Sequence, residues 1–432
     1  MNPSLRLTAF VFLILLCLLG AGGVDAADAT VVRGEYLTRA ADCEACHTRP
    51  GGVPFAGGLP FRTPMGTLYS PNLTPDEKTG LGRYSAETFR RALHQGIGHD
   101  GRHLYPAFPY EYYTLLTNDD VEAIRRYLMS LEPVAADIPA NDMSFPFDQR
   151  WGIALWNWLY FEPRRFEADA NASDEINRGA YLVEALGHCG ACHTPRSWTL
   201  GRKQDEKFMG ATIEGWHAYN ITNDPMRGIG AWSNEQIAAY LGQGNVPRLA
   251  QAGGPMADVI AHSGRYLTEG DRLAMAAYLK TIAPGDIQSN SGDGKVLRRS
   301  QRGHPASVAQ LRATPFDIHD SSGQRLYLGN CATCHNWNGA GAGQGTYPAL
   351  FHNSTVGAGT PTNLIQVILH GVHRQGGEDM AYMPGFGQQL NDAEIARLVN
   401  YLTATFGDPA LQVDAAQVAA LRAAAGTGAS DH

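Results

Sequence analysis

The chain repeats one short pattern three times: two cysteines three residues apart, with a histidine directly after the second. The residues that form it are Cys43, Cys46, His47, Cys189, Cys192, His193, Cys331, Cys334 and His335. From this chain's 7 cysteines and 15 histidines, about 0.004 such motifs are expected by chance. The repeated pattern is therefore a strong indication of one specific chemistry.

Positions i, i+3 and i+4 share one face of a helical turn, so two thiols and one imidazole can approach the same flat group. Cys-x-x-Cys-His is the attachment signature of c-type haem, in which the thiols form thioethers and the histidine binds iron. We predict three covalently bound haem c groups, with His47, His193 and His335 as proximal iron ligands. Disulfides and buried free thiols are weaker alternatives, because each cysteine pair is followed at once by histidine, and a zinc site is weaker because tetrahedral zinc requires two such pairs close together.

A longer repeat lies downstream of the first two motifs. Residues 72–96 align without gaps on residues 220–244, with 10 identities in 25 positions. Each copy opens with a turn-rich loop and then predicts a helix from Ser85 or Ser233 to the last glycine of the repeat, since serine and glycine favour helix starts and ends. The third domain lacks the loop but keeps the helix end at Gly371.

Methionine recurs at a fixed distance from this helix end. Met256 stands twelve residues after Gly244, and Met383 stands twelve residues after Gly371. A lone methionine is usually core filler, but the shared offset favours a common role. A thioether opposite histidine favours reduced iron and raises the potential. We therefore predict Met256 and Met383 as distal ligands, each in a loop before the last helix of its domain, at 268–279 and 391–402.

The first domain breaks this rule, because Phe108 stands twelve residues after Gly96 and cannot bind iron. Our first candidate for the sixth ligand of this haem is Met65, just upstream of the repeat. The alternatives are histidines, in order of preference His103, His94 and His99. An open sixth position is a further alternative, and each candidate also has a plainer interpretation in packing or at the surface.

These signals predict a mostly α chain of three tandem cytochrome c-like haem domains. Burying the flat haem supplies the apolar core that a few short helices lack. The predicted segments are a signal peptide at 1–26, a first haem domain at 27–132, a Trp-rich connecting segment at 133–172, a second haem domain at 173–284, a linker at 285–318, a third haem domain at 319–408 and a C-terminal tail at 409–432.

The N-terminus predicts export. Arg6 precedes an uncharged apolar run at 7–23, and small residues follow, which is typical of a signal peptide cleaved near Ala26. We therefore expect the protein on the periplasmic side of the bacterial inner membrane. The alternative is an uncleaved anchor, because a run of about 17 apolar residues is at the lower limit for spanning a bilayer.

Two further segments have open interpretations. Residues 145–161 contain Trp151, Trp156 and Trp158 and are too short to span a membrane. They are either a helix buried between haem domains or a contact surface for a partner, a quinone or the membrane. The Ala-rich stretch at 411–425 predicts a surface helix that frays, and the alternative is a helix that lies on a membrane or a partner.

Several stretches resemble one known family, the triple-haem cytochrome c subunit of bacterial membrane-bound alcohol, gluconate, sorbitol and aldehyde dehydrogenases. The similar stretches are 61–72, 104–110, 145–147 and 382–386, together with Trp156–Asn157. The resemblance implies a large partner subunit with a molybdenum cofactor, PQQ or FAD, a small iron–sulfur subunit in some complexes, membrane association and ubiquinone as acceptor. Phe108 is similar to cytochromes that accompany molybdenum hydroxylases of aldehydes or N-heterocycles, which favours a partner of that type.

Other functions are less well supported. The net charge of -8 argues against nucleic-acid binding. The chain has no dinucleotide fingerprint, nucleophile elbow or further metal motif, so we expect the organic oxidation to occur on a partner. Besides the cytochrome subunit of a PQQ alcohol or FAD sugar dehydrogenase, the alternatives are a peroxidase-like multi-haem enzyme and a carrier to a terminal oxidase.

Overall fold

The computed structural model describes residues 26–285, 298–312, 321–343, 346–376 and 379–425. It is 44% helix and 10% strand, which confirms the predicted mostly α fold. The predicted signal peptide, most of the predicted linker and the end of the predicted tail lie outside the described residues. Within those ranges, no helix is long and apolar enough to cross a membrane.

The elements of the first part of the chain surround the first motif. They are α1 (Ala26–Ala40), α2 (Cys43–Cys46), β1 (Pro60–Thr63), β2 (Gly66–Tyr69), a 3₁₀ turn (Leu81–Arg83), α3 (Ala86–Gln95), α4 (Tyr110–Tyr113), α5 (Asn118–Met129) and β3 (Asp142–Met143). The three strands form one small antiparallel sheet in the order β1-β2-β3. Helix α6 (Trp151–Tyr160) follows, before the second motif.

The second part repeats this order. Its elements are α7 (Asp174–Tyr181), a π turn (Leu182–Leu186), α8 (Gly190–His193), a 3₁₀ turn (Gln204–Glu206), β4 (Ala211–Ile213), β5 (Trp216–Ala218), α9 (Asn234–Gln243), β6 (Asn245–Val246), β7 (Ala250–Gln251), α10 (Pro255–His262), a 3₁₀ turn (Gly264–Tyr266) and α11 (Glu269–Leu279). The strands pair as the antiparallel hairpins β4-β5 and β6-β7.

The third part begins after residue 297. Its elements are a 3₁₀ turn (Arg299–Gln301), α12 (Val308–Arg312), α13 (Gly323–Asn330), α14 (Ala332–His335), α15 (Thr362–His370), β8 (Val372–Gly376), β9 (Asp379–Met383), α16 (Asp392–Phe406) and α17 (Ala415–Ala425). Strands β8 and β9 form an antiparallel hairpin that ends with Val372 opposite Met383.

The predicted helix of the long repeat is confirmed in both copies. The Ser85 and Ser233 side chains accept hydrogen bonds from backbone N–H groups of the first turns of α3 and α9, and Ser233 forms a full capping box with Gln236. Gly96 and Gly244 end these helices in the left-handed conformation, with φ of 63° and 68°. Only glycine adopts this conformation without strain, which explains its recurrence.

A crossing between the helix before the motif and a later long helix is common to the three parts. Helices α1 and α5, α7 and α11, and α13 and α16 each meet where the first helix has a glycine: Gly34, Gly179 and Gly323. A β-carbon on any of these glycines would overlap a backbone carbonyl of the opposite helix. The close approach of the helix backbones therefore depends on the absence of a side chain.

The first and second parts exchange contacts reciprocally. Asp120 at the start of α5 accepts hydrogen bonds from Arg33 of its own domain and from the Tyr181 hydroxyl of the next, the latter at 2.6 Å. Asp271 at the start of α11 accepts two hydrogen bonds from Arg178 of its own domain and one from the Tyr36 hydroxyl, at 2.5 Å. Each domain thus contributes a tyrosine hydroxyl that donates a hydrogen bond to the aspartate of the other domain's Arg–Asp pair.

The core is divided unevenly. One cluster of buried side chains draws on both of the first two parts, from Leu37 to Leu279, whereas a second cluster runs from Ala306 to Val418. Hydrogen bonds join the third part to the second, such as the paired bonds between Asn363 and the His217 backbone at 2.8 and 2.9 Å. The first two parts are therefore more intimately packed with each other than either is with the third.

Helix α6 is a surface helix, so the interpretation of a helix buried between haem domains is wrong. Ile153 is its one buried residue, whereas Trp151, Leu155 and Trp158 are exposed. The Trp156 indole donates to Thr199 O at 3.1 Å, which brings the almost fully exposed Trp198 beside the helix. Together with the exposed rings of residues 145 and 147, these side chains form an outward aromatic face.

Two expectations about the end of the chain need correction. The final helix of the third part does not stop at residue 402 but runs to Phe406, which is fully buried. Helix α17 packs against it rather than fraying: Val418 is fully buried, and Arg422 bonds Asp392 and the Leu390 carbonyl. The small apolar stripe of α17 is sufficient because α16 supplies the matching surface.

Candidate haem-binding sites

Each Cys-x-x-Cys-His motif lies on a short helical turn, as predicted. The turns are α2, α8 and α14, and each directly follows the first long helix of its part, which fixes its direction. In all three, the histidine N–H bonds back to the carbonyl of the first cysteine, at 2.9 to 3.0 Å. The two thiols and the imidazole of each motif therefore come from one turn of backbone.

The six motif cysteines form no disulfide. Burial raises the pKa of Cys43, Cys189 and Cys331 to about 12 and that of Cys192 to about 11. Across the part of the chain that the structure describes, no three His, Cys, Asp or Glu side chains are arranged so that they could hold one metal ion between them. These thiol pairs, each on one helical turn, suit thioether attachment.

The three motif histidines share one hydrogen-bond arrangement. The Nδ1 atom of His47 lies 2.8 Å from Pro71 O, that of His193 lies 2.6 Å from Tyr219 O, and that of His335 lies 2.9 Å from Pro348 O. A carbonyl can only accept, so Nδ1 carries the proton and Nε2 keeps its lone pair for a metal. Burial lowers the pKa of all three, to about 4 for His47, which keeps the rings neutral. This is the state in which histidine binds iron.

The turn-rich loops of the long repeat hold two of these carbonyls in place. Asn72 follows Pro71, and its side-chain oxygen accepts bonds from the N–H and the hydroxyl of Thr74, at 2.9 and 2.8 Å. Asn220 follows Tyr219 and makes the same pair of bonds to Thr222, at 2.8 and 2.7 Å. Our sequence reasoning missed these carbonyls, although the first residue of the repeat marks them.

The predicted distal methionines do not lie in loops. Met383 is the last residue of β9 and is partly buried against the same apolar cluster as Cys331. Met256 lies in the first turn of α10, after Pro255, and is partly buried. Helix α10 contacts β8 of the third part and the first motif turn, α2. The structure thus brings Met383 close to its own motif cluster and places Met256 where all three parts meet.

Phe108 occupies the position that Met256 has in the second part. The N–H of Leu104 donates to Gly96 O at 2.7 Å, and the N–H of Ala252 donates to Gly244 O at 2.8 Å. Phe108 stands four residues after Leu104, and Met256 stands four residues after Ala252. The Phe108 ring packs 5.5 Å from that of Tyr113, which itself bonds Ala41 O beside the first motif. An aromatic side chain therefore fills the place of the thioether.

The candidate sixth ligands of the first site lie apart from one another. Met65 is partly buried in the turn between β1 and β2, and its carbonyl accepts a bond from Ser144 N. His103 pairs with Ile97, and its Nδ1 is buried without a hydrogen-bond partner among the described residues. The remaining two are His94, fully buried beside Arg165, and His99, exposed against Tyr84.

Comparison with known proteins gives a consistent result. A family model described as cytochrome c matches residues 31–132 and 321–405. The chain is 39% identical to a fructose dehydrogenase cytochrome subunit of Gluconobacter japonicus, over 91% of this chain and 83% of the relative. It is 37% identical to a gluconate 2-dehydrogenase cytochrome c subunit of Pantoea cypripedii, over 92% and 90%. One subunit of a nicotinate dehydrogenase from Pseudomonas putida is 38% identical over 94% of this chain but 33% of its own length.

Proposed function

Because the chain belongs to the family of cytochrome c subunits of bacterial dehydrogenases, we propose that it carries three haem c groups and passes electrons from a substrate-oxidising subunit to ubiquinone. Bound haem supplies one-electron transfer, and the chain supplies attachment, ligands and burial. The repeated setting of His47, His193 and His335 carries the proposal, since each has Nδ1 on a backbone carbonyl.

We propose the ligands of the three sites as follows. Cys43 and Cys46, Cys189 and Cys192, and Cys331 and Cys334 form the thioethers. Met256 and Met383 complete the second and third sites. For the first site we propose Met65, with His103 as the alternative, because Phe108 excludes the equivalent methionine. With Met65 the first haem would have a His/Met pair like the other two and a similar potential, whereas His103 would give it a lower potential.

Replacing Met383 with alanine tests this assignment. We expect a lower potential for one site and loss of the absorption band that a methionine–iron bond gives, because the thioether favours reduced iron. The measurement is a potentiometric titration with visible spectra of the intact protein. Met380→Ala, on the same strand but exposed, is the matched control. An unchanged potential and spectrum in the Met383 variant would remove it as a ligand.

The partner that we favour is a large molybdenum-containing subunit acting on aldehydes or N-heterocycles, with a small iron–sulfur subunit. Phe108 supports it, because the resemblance at that position is to cytochromes of such enzymes. The relative named for nicotinate, an N-heterocycle, supports it further. The relatives named for fructose and gluconate favour instead a sugar-type partner. These similarities make the cytochrome subunit of a PQQ or FAD dehydrogenase the second candidate.

We propose that the protein acts on the periplasmic side of the inner membrane, after export by its signal peptide. The aromatic face of α6 and Trp198 supports membrane association, because exposed tryptophans cluster at membrane interfaces and in subunit contacts. The segment that carries this face contacts both of the haem domains that share one core, since Arg150 donates to His103 O at 2.6 Å and Trp156 donates to Thr199 O.

Purification from solubilised membranes under mild conditions, followed by identification of every co-purifying subunit and cofactor, tests the proposed function. We expect a large subunit with molybdenum and a small iron–sulfur subunit. PQQ or flavin in the large subunit would instead establish the second candidate. A chain that purifies alone and is not reduced by aldehydes, alcohols or sugars would contradict the subunit assignment; peroxide turnover would then indicate a peroxidase, and oxidation by a terminal oxidase a carrier.

A further inference from the structure

The second site differs from the other two in the residue whose carbonyl accepts the hydrogen bond from the histidine Nδ1–H. His47 and His335 donate to prolines, which offer no aromatic face, whereas His193 donates to the carbonyl of Tyr219. The guanidinium of Arg299 lies over the Tyr219 ring, 4.0 Å from its centroid. A fixed positive charge is thus held one residue away from the proposed proximal ligand of the second haem.

Arg299 is positioned by the third part of the fold. Its backbone carbonyl lies against Gly357. Three residues later, Arg302 donates to Asp408 at 2.5 Å and to Gly357 O at 3.1 Å, which ties this segment to the end of α16. Tyr219 belongs to the second part. The stacked pair therefore bridges the two, and it exists only while they are docked.

The same boundary is held by directional polar contacts around Tyr219. The Asn363 side chain accepts from His217 N and donates to His217 O, at 2.8 and 2.9 Å. Gln366 donates to Gly215 O at 3.1 Å. Hydrogen bonds of this kind fix the distance and register between two surfaces, so the Arg299 charge is held at a defined place.

Among the described residues, no Asp or Glu side chain forms an ion pair with Arg299, and the phenols of Tyr219 and Tyr240 lie beside its guanidinium. The guanidinium stays protonated near neutral pH. Tyr219 carries both the ring under Arg299 and the carbonyl that accepts from His193, so the Arg299 charge is held beside the proposed iron ligand.

We propose that Arg299 is a positioning charge that makes the second haem easier to reduce, so that docking of the third part of the fold sets the potential of a haem in the second. A nearby positive charge favours the reduced state, because that state carries one positive charge less. The inference rests on the proposed haem at the second motif. It assigns to the third domain a role in tuning, in addition to binding its own haem.

The test is a potentiometric titration of the intact three-haem protein with Arg299→Gln. For one of the three components we expect about a tenfold shift of the reduction equilibrium toward the oxidised form, a lowering of about 59 mV for a one-electron couple. Arg299→Lys keeps the charge, so its potential should stay close to that of the parent protein. Tyr219→Phe keeps the carbonyl and the ring and should leave the potential near that of the parent, whereas Tyr219→Leu should lower it.

Arg126→Gln, at an exposed arginine of α5 in the first part, is the matched control and should move no component. Unchanged potentials in Arg299→Gln, or equal shifts of all three components, would overturn the inference while leaving the proposed function intact. The haem content, measured first, distinguishes failure of the inference from failure of the proposed function. Fewer than three haems per chain, with Cys189→Ala/Cys192→Ala causing no further loss, would contradict the proposed function and the inference with it.

Discussion

Replacing Cys331 and Cys334 together with alanine is expected to lower the covalent haem content from three groups per chain to two and to abolish electron transfer through the third domain. Without thioether bonds, haem is held only by its ligands and by apolar contacts and is lost during purification. The cluster that Cys331 and Met383 pack against would also lose the flat group that fills it. We therefore expect the third domain to unfold at a lower temperature.

The measurements are haem-stained gels, the mass of the intact chain and the absorbance of haem per mole of protein. Met380→Ala is the matched control, because Met380 is an exposed residue of the same domain, and it should leave the haem content unchanged. Full haem content in the double variant would show that the third motif is not an attachment site. Separate unfolding of the third domain would be followed by circular dichroism.

Changing Asp120 to asparagine is expected to destabilise the first two domains by about 2–3 kcal/mol, because a buried carboxylate that joins two partners is replaced by a neutral amide. Asp120 is almost fully buried, and its oxygens accept bonds from Arg33 and from the Tyr181 hydroxyl. Arg33 is half exposed and returns to water. Tyr181 is buried, so the loss of stability comes mainly from the weakened hydrogen bond of its hydroxyl, which joins the two domains.

Urea unfolding of the purified protein, monitored by circular dichroism, measures this effect. Asp119→Asn is the matched control, because it removes a carboxylate from the same helix turn but at an exposed position, and it should change the stability by less than about 0.5 kcal/mol. Asp271→Asn, the reciprocal change, should have a similar effect to Asp120→Asn. Equal stability of the Asp120 variant and the control would contradict the role of these reciprocal contacts.

Much of the local structure could be predicted because it depends on neighbouring residues. Ser85 and Gly96 limit α3 through hydrogen bonds and φ values within a few residues, and Cys43 to His47 occupy a single turn. The long repeat also predicted that Phe108 and Met256 are equivalent, which the matching bonds to Gly96 O and Gly244 O support. Local rules of this kind are present in the sequence itself.

What could not be predicted depends on surfaces that meet far along the chain. The Tyr219 carbonyl and the Arg299 guanidinium belong to different parts of the fold, and no spacing rule connects them. The face that α6 exposes was undecided because an apolar run without clear periodicity does not show which side is covered. The sequence of 411–425 predicts a fraying helix because it does not show the surface of α16 that buries Val418.

The reciprocal contacts between the first two domains also have an evolutionary consequence. In a two-fold symmetric dimer, residue i of one subunit contacts residue j of the other, and j contacts i. Tyr36 with Asp271, and Tyr181 with Asp120, follow this rule within one polypeptide. Duplication and fusion of a gene for a self-pairing single-haem protein would leave such a pattern. The third domain has Arg325 rather than tyrosine two residues after its crossing glycine, as expected of a unit that joined the pair without sharing its symmetry.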